Sequence, residues 1–149
     1  MYKSILVPID GSEPSDYGLV HAIGLARDHK ATLHILHAID AYPLMVEVSS
    51  VQNVEQMRRD LLKYGEGLLE KARRQAADQG IQVETRLKEI VTGRVSDVIL
   101  DEARKASCDL IVMGTHGRRG ISRMVLGSDA ESVTRSSTVP VLLVPHRPK

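Results

Sequence analysis

The sequence contains no phenylalanine and no tryptophan, and its only aromatic residues besides histidine are four tyrosines. The hydrophobic core must therefore be built from aliphatic side chains. Proteins that bind single-stranded nucleic acids stack the bases on aromatic side chains, so the scarcity of rings argues against that class. The net charge of +1 also argues against binding to nucleic acid or to an anionic membrane surface.

Cysteine is nearly absent as well, because Cys108 is the only one. A single cysteine cannot form a disulfide within the chain, which is typical of proteins in a reducing compartment. The first apolar run, residues 5–9, is shorter than the core of a signal peptide or a membrane span. These features predict a cytoplasmic protein that does not associate with membranes.

Five short apolar runs alternate with segments of helical periodicity, and 149 residues suffice for one domain, residues 1–149. Alternation of this kind predicts a parallel sheet with helices on both faces. We expect strands at residues 3–9, 31–39, 81–87, 109–113 and 139–144. We expect helices at residues 13–29, 54–79, 94–106 and 128–136.

The polarity of the runs predicts the order of the strands. Four runs are almost continuously apolar, as in strands covered on both faces, whereas residues 81–88 alternate between apolar and polar side chains. The third strand is therefore expected at an edge, and the order 3-2-1-4-5 satisfies this with right-handed crossovers. Strands 1 and 4 then lie side by side where the winding direction reverses, and ligands bind at the carboxyl ends of such strands.

The fifth strand lies at the other edge in this order, yet its sequence from Val139 to Val144 is as apolar as the central strands. An uncovered apolar edge favours pairing with another chain. We therefore expect a homodimer in which the fifth strands of two copies meet.

A glycine-rich loop follows the fourth strand and ends where a helix begins at Ser128. The loop contains no acidic residue between Gly114 and Ser128. Glycines let a backbone approach a phosphate closely, and a helix N-terminus carries unpaired N–H groups and a partial positive charge. The loop therefore predicts a polyphosphate site. Its glycines are Gly114, Gly117, Gly120 and Gly127, and its basic residues are His116, Arg118, Arg119 and Arg123.

Other residues near the expected crevice have two interpretations each. Ser128 and Glu131 have the spacing of a capping box, which would explain the serine without a ligand. Asp10 ends the first strand, where its carboxylate could accept hydrogen bonds from ribose hydroxyls, but it also suits a turn before Ser12, the expected N-cap of the first helix. Residues 41–53 fit no element and are either a surface loop or a flap over the crevice.

The pattern G-x2-G-x9-G-[ST] in the loop resembles the ATP-binding signature of the universal stress protein family. The segments ILVPIDGSEPS, ILHAID, CDLIVMGTHGR and VPVLLVP are similar to that family too, so the likeness extends to about Pro145. The resemblance implies an adenine nucleotide α-hydrolase-like fold, a homodimer and a role in stress response. It also implies ATP as the ligand, either alone or together with Mg²⁺ or Mn²⁺.

By this resemblance Asp10 holds the ribose, and the backbone at Ala38 and Met113 flanks the adenine. Asp129 departs from the family, which more often has a neutral residue there; it would weaken binding, recruit a divalent metal or favour the helix start. The expected binding residues are Pro8, Ile9, Asp10, Ala38, Met113, Gly114, His116, Gly117, Arg118, Gly127, Ser128 and Asp129.

Three functions compete for such a site. In the first, ATP occupancy changes a surface or a dimer that other proteins recognise. In the second, the protein is a slow ATPase or an enzyme that phosphorylates itself. In the third, it is a structural dimer whose glycine-rich loop is vestigial. No general base is evident beside the loop, so we predict no catalytic residue. His34 and His37 lie three apart on a strand and face opposite sides, and no metal site is predicted.

Overall fold

The computed structural model describes residues 1–41, 51–116 and 125–146. Strands and helices alternate along these residues as the apolar runs predict. The strands are β1 (Ser4–Pro8), β2 (Thr32–Asp40), β3 (Val83–Ile90), β4 (Leu110–Gly114) and β5 (Val141–Val144). The helices are α1 (Glu13–His29), α2 (Val51–Ala77), α3 (Val95–Lys105) and α4 (Ser128–Ser136).

The five strands form one parallel sheet in the order β3-β2-β1-β4-β5, which confirms the predicted topology. In the centre of the sheet Ile5 of β1 pairs with Leu33 of β2 and with Leu110 of β4. β3 is an edge strand, as its alternating sequence predicts, and most of its residues are only half-buried.

Helices cover both faces of the sheet, so the core has two halves. Ile5 and Val7 point toward α1 and α2, whereas Leu6 between them points toward α3 and α4. Each of these three side chains is completely buried, which contributes about 1.5–3 kcal/mol per residue. Aliphatic side chains therefore fill both halves of the core, as the lack of phenylalanine and tryptophan requires. Within the described residues, no helix is both long and apolar enough to cross a membrane.

The start of α1 agrees with the sequence prediction in its details. Ser12 is the N-cap, and its hydroxyl oxygen accepts the backbone N–H of Ser15 at 3.3 Å. The helix ends where Lys30 adopts a left-handed conformation with φ of 56°. The capping serine therefore fixes where the chain turns from β1 into α1.

Two boundaries differ from the sequence prediction by three residues, and the others by two at most. β3 continues to Ile90, three residues beyond the expected end, because each of its residues from Val83 onward pairs with β2. α2 begins at Val51 rather than at residue 54, so part of the segment 41–53 is helical. Residues 42–50 of that segment lie outside the described residues, so the two interpretations of the segment, a surface loop and a flap over the crevice, both stay predictions.

One glycine within α2 is explained by close packing on the sheet. A Cβ atom on Gly65 would lie 2.7 Å from Cδ2 of His37 and 2.8 Å from Cδ1 of Leu87. The helix therefore approaches β2 and β3 more closely than any other residue would permit, despite the cost of a glycine in a helix. This approach brings the preceding turn of α2 to the carboxyl end of the sheet.

Candidate functional site

A cleft of about 590 Å³ opens at the carboxyl edge of the sheet, beside the neighbouring ends of β1 and β4. This is where the strand order predicts a ligand site. Ten of the twelve predicted binding residues line this cleft. They are Pro8, Ile9, Asp10, Ala38, Met113, Gly114, His116, Gly127, Ser128 and Asp129. The other two, Gly117 and Arg118, lie outside the described residues.

Asp10 is fixed in the turn between β1 and α1. One oxygen of its carboxylate, Oδ1, accepts the backbone N–H of Ser12 at 2.9 Å, and its own N–H donates to the hydroxyl of Ser15 at 3.0 Å. The turn interpretation is thus correct for Asp10, and the same residue lines the cleft. A carboxylate held by a rigid turn at the end of a strand is well placed to accept hydroxyl groups of a ligand.

Gly114 at the end of β4 serves the packing of α1 as well as the cleft. A Cβ atom on Gly114 would lie 2.4 Å from the carbonyl oxygen of Pro14, and one on Gly18 would lie 2.9 Å from the backbone nitrogen of Gly114. Any side chain at either position would therefore push α1 away from β4. The loop pattern indicates phosphate binding or a turn for Gly114, and neither it nor the period of α1 reveals this packing with Gly18, because the two residues are far apart in the chain.

The start of α4 corrects the predicted capping box. The N-cap is Gly127, which has no side chain to cap the helix, and Ser128 is the first helical residue. The carbonyl oxygen of Gly127 accepts the N–H of Glu131 at 2.9 Å. The N-cap residue thus supplies no side-chain acceptor for the first N–H groups of the helix, and the residues that carry them, Ser128 and Asp129, line the cleft. The serine is therefore not explained by capping.

Two contacts join the ends of the glycine-rich loop. The N–H of Gly127 donates to the carbonyl oxygen of Thr115 at 2.8 Å. The Nε2 atom of His116 contacts the carbonyl oxygen of Val125, while its Nδ1 lies 2.9 Å from the hydroxyl of Thr115. The imidazole of His116 therefore holds the loop closed at its base, which is a structural role in addition to lining the cleft.

Histidine and tyrosine side chains from β2 and α2 form a wall of the cleft that the sequence analysis missed. The Nδ1 atom of His37 donates to the carbonyl oxygen of Ile9 at 2.8 Å, and the ring of Tyr64 stands edge-on to that imidazole. Tyr64 and Leu61 reach the cleft because Gly65 lets α2 lie close to the sheet. Leu61 and Tyr64 belong to the apolar residues that recur every three or four positions along α2. This helical spacing does not show which turn of the helix meets the cleft.

His34 and His37 face opposite sides of the sheet, as their spacing predicts. His34 is buried next to β3 and α3, and its Nδ1 lies 3.6 Å from a carboxylate oxygen of Glu84. Burial lowers the pKa of His34, against the opposing effect of Glu84. Among the described residues, no group of three or more histidine, cysteine or acidic side chains is placed to hold a metal ion.

Cys108 is buried beneath the start of β4, as its apolar neighbours predict. Its sulfur lies 3.5 Å from the hydroxyl of Ser4, and burial raises the pKa of the thiol. A buried thiol with a raised pKa carries little thiolate and is a poor nucleophile. Cys108 therefore belongs to the core and not to a reactive site.

Comparison with known proteins identifies the fold and the family. The chain is 34% identical, over its whole length, to the universal stress protein MJ0531 of Methanocaldococcus jannaschii and covers 85% of that protein. Its structure matches that of the hypothetical protein MJ0577 with a TM-score of 0.88 and 28% identity, covering 100% and 99% of the two chains. It also matches a universal stress protein in complex with cAMP, with a TM-score of 0.69, 25% identity and 97% coverage of both chains.

The sequence pattern of the family described as "Universal stress protein family" matches residues 1–145. That match spans β1 to β5 and both walls of the cleft, so it includes the whole described domain. The chain belongs to the universal stress protein family.

Proposed function

We propose that this protein binds ATP in the cleft between β1 and β4, and that nucleotide occupancy regulates a surface recognised by partner proteins in a stress response. The observation that carries the proposal is the meeting of two features in one cleft. Asp10, at the end of β1, offers a carboxylate for ribose hydroxyls, and the uncapped start of α4 offers N–H groups for phosphates.

In this proposal each part of the nucleotide meets a different wall of the cleft. The adenine lies against Pro8, Ile9, Ala38 and Met113, whose apolar surface and backbone atoms exclude water from the base. The ribose lies at Asp10. The phosphates lie at Gly127, Ser128 and Asp129, with Gly114 and His116 at the base of the loop; Gly117 and Arg118, outside the described residues, complete the phosphate site.

Asp129 gives a reason to include a divalent metal with the nucleotide. It is the second residue of α4 and lines the cleft beside the proposed phosphates. A carboxylate next to a polyphosphate repels it unless a cation lies between them, and Mg²⁺ or Mn²⁺ binds both groups. The metal is therefore part of the ligand in this proposal.

The complex of a relative with cAMP supports the ligand class. That protein has the same fold as this chain and is 25% identical to it, and its ligand contains an adenine, a ribose and a phosphate. A cleft of about 590 Å³ lies within the usual range for sites that enclose ligands of this size.

The proposal is tested by titration calorimetry with adenosine and with ATP in the presence of Mg²⁺. We expect Asp10→Ala to weaken both ligands alike, because both contain the ribose, and Gly127→Val to abolish ATP binding with little loss of fold. Gly67→Val is the matched control, since a side chain at Gly67 meets nothing within 4 Å. If Gly127→Val binds ATP as tightly as the parent does, the assignment of the phosphate site is wrong.

We also propose that two copies associate through β5. This strand is an edge of the sheet, and the side chain of Leu142 on it is 38% exposed. An apolar edge of this kind is covered when it meets its two-fold mate. Light scattering should give the mass of a dimer at micromolar concentration and that of a monomer for Leu142→Lys. A monomeric parent would contradict this proposal and leave the ATP proposal intact.

We place the protein in the cytoplasm on the basis of its single cysteine. Cys108 is buried and has no second cysteine with which to pair. A reducing compartment is the ordinary environment for such a chain. Fractionation of cells that express the tagged protein, with detection in the soluble cytoplasmic fraction, is the corresponding measurement.

A further inference from the structure

The first turn of α3 also lines the cleft, and no part of the proposed ATP site uses it. Arg94, the N-cap of α3, and Ser96, in its first turn, border the same space as Ser128 of α4. A groove between α3 and α4 continues from the cleft, and Arg94, Ser96 and Ser128 line this groove as well. Two helix starts therefore border one continuous space.

Ser96 is a nearly buried residue whose side chain borders this space. The residue is only 3% exposed, and its hydroxyl forms no hydrogen bond with another residue of the described ranges. Within those ranges Nδ1 of His34 is the one fully buried side-chain nitrogen or oxygen that lacks a partner, so the small exposed part of Ser96 leaves its hydroxyl in contact with the open space. Since Ser96 lines both the cleft and the groove, a ligand in that space is the natural partner for this hydroxyl.

Arg94 adds a positive charge that the described structure does not neutralise. Its backbone N–H donates to Oδ2 of Asp97 at 3.0 Å, but its guanidinium forms no ion pair or hydrogen bond within residues 1–41, 51–116 and 125–146. Arg135, the other arginine of the groove, contacts Glu131 at 2.6 Å. The two acidic residues of the groove, Asp97 and Glu131, are thus already engaged, and Arg94 is the cation that remains for a ligand.

We propose that the first turn of α3 is a second phosphate subsite, in which the guanidinium of Arg94 and the hydroxyl of Ser96 bind the terminal phosphate of a nucleoside polyphosphate. This inference rests on the proposed ATP site, because the other phosphates of the same ligand lie at the start of α4. A guanidinium binds a phosphate through two parallel hydrogen bonds, and the first N–H groups of α3 add a partial positive charge.

The subsite makes the protein sensitive to the number of phosphates. A nucleoside monophosphate places its single phosphate at the start of α4 and does not reach Arg94. Each further phosphate extends the ligand toward α3, so the affinity rises from AMP through ADP to ATP, whose terminal phosphate reaches Arg94. The chain would then respond to the phosphorylation state of the adenine nucleotide and not only to its presence.

The test compares AMP, ADP and ATP on the parent protein and three variants by titration calorimetry. We expect Arg94→Gln to weaken ATP about tenfold or more and to leave AMP within about twofold, because it removes a charged hydrogen-bond donor. Ser96→Ala should weaken ATP about tenfold or more, as expected for one hydrogen bond to a charged phosphate. Arg104→Gln is the matched control, since it removes the same charge from α3 at its exposed end, and should change neither ligand.

Thermal unfolding of each variant separates loss of binding from loss of fold. An equal loss of AMP and ATP affinity in Arg94→Gln, or no loss of either, would overturn the subsite. Inorganic tripolyphosphate provides an arm that needs no nucleoside: the subsite predicts weak binding that Arg94→Gln removes. If the parent binds no ATP, the proposed function is wrong, and the subsite is then tested by tripolyphosphate alone. The subsite is wrong if tripolyphosphate does not bind, or if Arg94→Gln leaves its binding unchanged.

Discussion

Gly114 offers the sharpest test of how closely α1 packs on the carboxyl end of β4, because one added methyl group would overlap with backbone atoms of Pro14. In Gly114→Ala the new Cβ would lie 2.4 Å from the carbonyl oxygen of Pro14 and 2.7 Å from its carbonyl carbon. Carbon and oxygen atoms in close contact stay about 3.3 Å apart, so the start of α1 and the end of β4 must separate by about 1 Å. Pro14 is in the first turn of α1, where the chain cannot yield by a side-chain rotation.

The expected cost follows from this displacement. Inserting a methyl group into a packed region costs about 1–3 kcal/mol, and a clash with backbone belongs in the upper part of that range. For a chain of this size 1 kcal/mol corresponds to about 2–4 °C in Tm, so Gly114→Ala should lower the Tm by about 5–10 °C. Differential scanning calorimetry of the nucleotide-free protein measures this directly.

Gly24→Ala is the control for this measurement. Gly24 lies within α1, and a Cβ atom there meets nothing within 4 Å. Replacing a helical glycine with alanine at an open position stabilises a protein by about 0.5–1 kcal/mol, so the Tm should rise by a few degrees. If Gly114→Ala unfolds at the Tm of the parent and loses only nucleotide affinity, then the packing explanation is wrong and Gly114 serves the ligand alone.

Three further predictions concern the buried charges and the chemistry of the site. Glu102 is nearly buried and lies 3.4 Å from Arg86 and 3.8 Å from Lys88. Glu102→Ala should lower the free energy of unfolding in urea by about 1–3 kcal/mol, because Lys88 loses this carboxylate and Arg86 keeps only Glu84; an unchanged midpoint would contradict this. Burial lowers the pKa of His34 below its ordinary value of 6.5, so the neutral imidazole stabilises the fold fully above pH 6.5, and this stability is lost as the pH falls through the lowered pKa. His34→Leu should therefore make the loss of stability with acid less steep, and an equally steep profile would refute the assignment. ATP hydrolysis with Mg²⁺ should be far below about 10 per second, because no water-orienting residue is evident among the described residues of the cleft. Turnover above about 1 per second that Asp129→Ala eliminates, and that a Gly127→Val control lacks, would make this an enzyme.

The sheet and its order were predictable from local patterns. The alternation of Ile81, Val83, Thr85 and Leu87 with polar residues marks an edge strand, and the continuous apolar runs mark strands covered on both faces. Short parallel strands joined by helices leave few allowed topologies, so the periodicity of the chain was enough to choose one. The N-cap Ser12 likewise places the start of α1, because capping is a contact between residues close in sequence.

The location of the cleft at the carboxyl ends of β1 and β4 was also predictable, and so were ten of the residues that line it. The structural roles of some of these residues were not. Gly114 packs against Pro14, and this contact depends on how closely α1 lies on β4. The capping interpretation of Ser128 failed because the N-cap of α4 is Gly127, one residue earlier than the spacing of Ser128 and Glu131 indicates. A capping pattern in the sequence identifies the first residue of a helix only when no neighbouring residue can act as the N-cap instead.

Two walls of the cleft were decided by tertiary structure alone. Tyr64 reaches the cleft only because Gly65 lets α2 approach β2 and β3, and Arg94 and Ser96 reach it only because α3 packs beside α4. The sequence determined the elements, their order and the strand ends that form the site, because these follow from periodicity and from contacts between near neighbours. Which side chains of α2 and α3 face that site depends on the distance and rotation of packed helices, and only contacts between residues far apart in the chain set those.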